Sequence, residues 1–249
     1  MLYVAVTFWL LVAVLAAWGV HRLWCGMLPV KFVNVLLLPG TLVAVIGHVV
    51  GLLVTGGTVT TATLYKADGS GDPETTPDPK PRIPIIGPVI VGLLPLLSCA
   101  SSIYLASRYL GSGLMQRLPA GSVGPDLPAS IPGVFDFLRA QLSLVESLVS
   151  ALRASDFSDW RTGVFVYLLV CLVIRMAPFQ GTVRGSLAAI ILLGAGAAAV
   201  TSLFDVADPR VQTGWAVLNL TIASLLLLLL VSLILRGAVG LVQVVRTNA

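Results

Sequence analysis

The run Leu38 to Gly57, LPGTLVAVIGHVVGLLVTGG, carries no Asp, Glu, Lys or Arg. A helix needs about 20 apolar residues to cross the hydrocarbon core of a bilayer. Inside that core, only helices and closed barrels satisfy their own backbone. The run is continuous rather than alternating, so it reads as a helix. Several further runs of this kind follow along the 249 residues. Hydrophobic residues make up 57% of the chain, charged residues 10%, and the mean hydropathy is +0.98. A soluble domain carries about 25% charged residues. The sequence therefore predicts an all-α polytopic membrane protein.

About six spans are expected, at roughly 2–20, 31–55, 83–106, 161–178, 185–204 and 214–235. The first lacks a basic leader and a small-residue cleavage site, so it reads as a retained span. His21, Arg22 and Trp24 follow it as interfacial anchors. Pro39-Gly40 interrupts the second span near its start. Residues 56–82 change character: Val59, Thr61, Thr63 and Tyr65 alternate as in a strand, and a Gly/Pro/Asp-rich mobile loop follows. Pro84, Pro88 and Pro95 predict a kinked third span. The fifth is rich in Gly and Ala, which allows close helix packing.

Residues 111–160 read as linker and an amphipathic helix. Val134, Leu138, Leu142, Val145, Val149 and Leu152 recur at three- and four-residue spacing. Arg139, Glu146, Ser147, Ser150 and Arg153 lie off that stripe. The helix is expected in the interface or packed on the spans. Six spans put both termini on one side. The 15 Lys and Arg then divide seven against eight, which sets no orientation. The net charge of +4 is that of juxtamembrane Lys and Arg, not of a nucleic-acid surface. Cys25, Cys99 and Cys171 show no metal-ligand spacing and read as small hydrophobes.

The stretch FVNVLLLPGTLVAVIGHVVGLLVTGGTVTTATLY resembles the second span of membrane-embedded zinc metallopeptidases of the site-2-protease type. One branch of that family opens this span with Pro-Gly-Thr, continues into His-Glu-x-x-His, and leaves through small residues into a strand. Pro39-Gly40-Thr41 and Gly56-Gly57 match the two ends. Gly87 and Pro95 resemble the family's Gly-to-Pro third span. YLLVCLVIRMAPFQGTVRG resembles a later pattern of Met-x-Pro-Ser, then Asp, then Gly. The likeness runs over about residues 30–200.

The departures fall on the chemistry. The family's His-Glu-x-x-His aligns with Ala44, Val45, Ile46, Gly47 and His48. The first ligand becomes Ala44 and the general base Val45, and only the second histidine remains. Phe179 stands at the serine position and Thr182 at the aspartate. A hydrolytic zinc site needs three protein ligands, an open position and a base. The resemblance thus implies a member without catalytic residues and without cofactor, with His48 as a relic ligand. A rebuilt zinc site would have to draw on His21, His48 and Asp205 or Asp208. Alternatively, His48 is a neutral imidazole bonded across helices to a carbonyl, Ser or Thr, or it contacts a ligand or partner. Arg175 reads as a snorkelling cation or a packing contact, and Asn219 and Thr221 as interhelical donors.

Three functions follow as expectations. The first is an inactive metallopeptidase-like protein that binds a membrane protein or transmembrane peptide within the lipid. The second is a subunit or assembly factor of a larger membrane complex without peptidase ancestry. The third is an active zinc protease with non-standard ligands. Ion-coupled transport is disfavoured, because every Asp and Glu falls in a loop, a turn or the amphipathic segment.

Overall fold

A computed structural model describes residues 2–56, 59–63, 74–77, 86–117, 131–155, 159–176, 190–192 and 209–247. The helices are α1 (Leu2–Met27), α2 (Val30–Leu36), α3 (Leu38–Val54), α4 (Ile86–Tyr109), α5 (Ser112–Met115), α6 (Ile131–Arg153), α7 (Trp160–Ile174) and α8 (Pro209–Thr247). Val59–Thr63 (β1) pairs antiparallel with Glu74–Pro77 (β2), so part of the expected loop is the second strand of a ribbon. Gly56 takes φ 75° where α3 ends. That left-handed conformation closes a helix and favours glycine.

Three helices are long and apolar enough to cross a membrane: Thr7–Met27, Gly87–Tyr109 and Val217–Leu241. A fourth span is available if α2 and α3, bent by 76° at Leu37, count as one. The protein is a helical integral membrane protein on this evidence of length and composition. α7 is apolar, but its 15 residues extend only about 22 Å. Most of the expected span 185–204 lies outside the described residues.

Boundaries shift where packing, not hydropathy, ends the helix. α1 continues through His21–Trp24, so these anchors belong to the helix itself, and Arg22 sits 5.2 Å from the Trp18 ring centroid. α8 runs on past Arg236 to Thr247, well beyond the expected end at residue 235. Of the three prolines expected to kink the third span, Pro88 lies in the first turn of α4, Pro95 lies in its interior, and Pro84 lies outside the described residues.

Helix directions follow from specific contacts. Gly19 faces Leu229, the Trp24 indole Nε1 donates to Ser232 Oγ at 2.8 Å, and Gly26 faces Arg236. Both numberings rise together, so α1 and α8 are parallel. In contrast, Ser98 Oγ donates to the Val43 carbonyl at 3.1 Å, Gly47 rests on Pro95, and Gly51 rests on Val91. α3 and α4 are therefore antiparallel.

The main core joins Trp9, Ala13 and Ala17 of α1 with Ala44, Cys99, Ile103, Phe165, Leu172 and Leu225. α6 packs on α8, and the stripe it buries is Leu144, Leu148 and Ala151. The expected stripe is offset from this: Leu142 is 65% exposed, while Val134 and Leu138 have no described side chains. Arg139, Glu146 and Arg153 face outward as expected.

Candidate functional site: the broken second span

Two polar spots lie on the α2–α3 element. The first is His48. Its ring is buried and hydrogen-bonds the backbone of Val91 on α4. The reason lies four residues further on. Pro95 has no N–H, so it cannot donate to the carbonyl of Val91 within α4. A carbonyl left open in a membrane helix must be satisfied by a neighbour. His48 is that neighbour.

His48 reaches Val91 because the backbones are in direct contact. A Cβ on Gly47 would lie 2.8 Å from the Leu94 carbonyl and 2.9 Å from Pro95 Cα, and one on Gly51 3.0 Å from Val91 Cα. Gly47-His48-Val49-Val50-Gly51 is a small-xxx-small pattern, which lets two helices meet without side chains between them. This signal was present in the sequence, beside the histidine, and the reading above passed over it.

The positions that would carry peptidase chemistry hold none. Ala44 is fully buried in the core and Val45 nearly so. Neither side chain has a ligand atom or a base, so this face of α3 offers one imidazole where a hydrolytic zinc needs three protein ligands. These residues do not fit a zinc ion. Among the described residues, no group of three or more His, Cys, Asp or Glu assembles. His21 contacts Cys25 on its own helix, with Nε2 3.7 Å from Sγ. Asp205, Asp208, Phe179 and Thr182 lie outside the described residues.

The second spot is the break itself. Pro39 removes the donor for Val35, and Leu37 adopts φ −90°, ψ 9°. Gly40 permits the bend: a Cβ there would overlap the carbonyl of Cys171 on α7. In an unbroken helix the Leu36 carbonyl would accept from Gly40. Here it accepts from Tyr167 Oη at 2.9 Å and from Cys171 Sγ at 3.3 Å. The Gly40 N–H turns to the Cys171 sulfur instead. Tyr167 and Cys171, one turn apart on α7, thus close the broken ladder. Cys171 is a hydrogen-bond donor as well as the small hydrophobe expected.

Beside the break, Arg175 caps the C-terminus of α7 and reaches inward rather than snorkelling. Its Nη2 donates to Asn34 Oδ1 on α2 at 2.9 Å. Both residues are buried, and Asn34 Nδ2 has no acceptor. Asn34 was the missed residue. Its signal was an amide inside the apolar run FVNVLLL. Arg175 and Asn34 come together, whereas Asn219 stands apart on α8, buried in the core. Thr221 there bonds its own helix, donating to the Val217 carbonyl at 2.8 Å.

No family model, no curated protein and no solved structure matches this chain.

Proposed function

We propose that this chain is a non-catalytic, multi-pass membrane protein on a site-2-protease-like frame, which works by holding a membrane protein or transmembrane peptide. One observation carries the reading. The surviving histidine of the family's metal motif serves as the donor for a proline-freed carbonyl, while its partner positions are the buried, apolar Ala44 and Val45. The span is packed tightly on α4, and no ligand or base stands at the two positions that the resemblance aligns with the first histidine and the glutamate.

An odd number of crossings suits this frame better than six. If α1 and α8 both cross, their parallel packing demands an odd count. A re-entrant α2–α3 is one way to reach it. Cysteines introduced near the two ends of the chain should then label from opposite sides of sealed vesicles. Labelling from one side would restore an even count.

The function is tested on protein purified without chelator or polyhistidine tag. Metal content and cleavage of a transmembrane peptide are measured for wild type and His48→Ala. The expected result is no stoichiometric zinc and no cleavage in either, with photo-crosslinking from α3 capturing a discrete membrane protein. Zinc-dependent cleavage lost in His48→Ala would return the protease reading.

A further inference from the structure

The end of α1 gathers exposed cations with no acid to meet them. We propose that the α1–α8 seam at this end binds the headgroup of an anionic phospholipid. The site stands whether or not the chain has peptidase ancestry.

The charges come from three elements. Arg22 lies near the end of α1, Lys31 in the first turn of α2, and Arg236 on α8, and all three are exposed. The seam brings two of them to one place. Arg236 Nη1 lies 3.5 Å from where a Cβ on Gly26 would stand, and Gly26 follows Arg22 by one turn on the same face of α1. One turn before Arg236, Ser232 Oγ accepts from the Trp24 indole at 2.8 Å, which fixes the register of the seam. Val33, two residues on from Lys31, shares a buried cluster with Val20 and Trp24, so Lys31 stays at this end of α1. The elements of that cluster, α1, α2, α7 and α8, contain no Asp or Glu.

Depth selects a lipid as the source of the counter-charge. Arg22 and Arg236 both fall within the stretches apolar and long enough to cross, Thr7–Met27 and Val217–Leu241. A snorkelling Arg22 would extend past Met27 toward water. Its guanidinium instead lies over the Trp18 ring, 5.2 Å from the centroid and one turn deeper in the span. Trp18 is 49% exposed, so this cation is held at the lipid-facing surface. A cation there is costly without a counter-charge. The phosphate of a lipid accepts from more than one guanidinium at once. Leu15, Leu233 and Ile234 are exposed beside these cations and offer its acyl chains an apolar surface. A zwitterionic headgroup adds an ammonium that Arg22, Lys31 and Arg236 repel. A soluble phosphate lacks the tail that reaches this depth.

The test uses the whole protein in a neutral detergent, titrated with dioleoyl phosphatidylglycerol or dioleoyl phosphatidylcholine, with retained lipid counted by native mass spectrometry. Saturable retention of one phosphatidylglycerol per chain is expected, in preference to phosphatidylcholine and undisturbed by excess inorganic phosphate. Arg22→Gln and Arg236→Gln should each lower that preference about fivefold, the usual share of one cation at an anionic lipid surface. Arg108→Gln, which removes an exposed charge from the last turn of α4, should leave it unchanged. Equal retention of the two lipids, which needs no variant, would overturn the proposal. So would displacement by inorganic phosphate, no loss in either seam variant, or the same loss in Arg108→Gln.

Discussion

His48 on α3 and Arg175 at the end of α7 are both buried polar residues that tie the α2–α3 element to a neighbour, and they differ in charge and partner. At His48, one ring donor meets one carbonyl that Pro95 left open. At Arg175, a charged guanidinium on α7 reaches the Asn34 amide oxygen on α2. A polar contact of this kind in a membrane ties two helices together. The α2–α3 element therefore carries two polar contacts to its neighbours, about fifteen ångströms of helix apart by the usual rise.

The comparison can be broken from the packing side first. Gly47→Leu would drive a side chain into the backbone of α4 at Leu94 and Pro95. The expected loss is about 3 kcal/mol, the upper range for overpacking, measured as unfolding in mixed detergent micelles. If the variant were as stable as wild type, the close α3–α4 contact would be wrong, and the His48 bond with it.

His48→Leu should cost less, about 1–2 kcal/mol, because it leaves the Val91 carbonyl buried and open. The sharper measurement is a double-mutant cycle. Pro95→Ala restores an N–H to α4, so His48→Leu should cost about 1 kcal/mol less in that background. Additive losses would mean that the histidine does not serve the proline's carbonyl.

Tyr167→Phe should cost only about 0.6 kcal/mol, typical of a single interhelical hydrogen bond in a membrane. The Leu36 carbonyl keeps its bond from Cys171 in that variant. A loss several times larger would assign the bend at Leu37 to Tyr167 alone.

The smallest effect is expected at the buried charge. Replacing both partners, Asn34→Leu with Arg175→Met, should leave stability within about 0.5 kcal/mol of wild type or raise it, because a buried charge and its partner are often exchanged for apolar groups at no loss. A large destabilisation would make the Arg175 contact as strong a tie as that of His48 and end the contrast between them.

Much of this was legible in the sequence, for definite reasons. Hydropathy locates apolar helices because the solvent is uniform lipid, and α1, α4 and α8 fall where the runs predicted. Pro39-Gly40 marked the break, since proline removes a donor whatever surrounds it. The amphipathic character of α6 was readable from its period. Its buried stripe was not, because which of two adjacent apolar faces is covered depends on where α8 lies. Leu142 and Leu144 differ in the fold rather than in hydropathy.

By itself, then, the sequence determined the class of the protein, the place of its broken span, and that Ala44 and Val45 carry neither ligand atom nor base. These are local facts of composition and covalent chemistry. Only the tertiary structure decided what His48 and Arg175 do. A histidine's role is fixed by the atom it meets, and Val91 is more than forty positions away; Asn34 and Arg175 are separated by 141. It also decided that α1 and α8 run parallel, because direction is a relation between helices that no single run of residues contains.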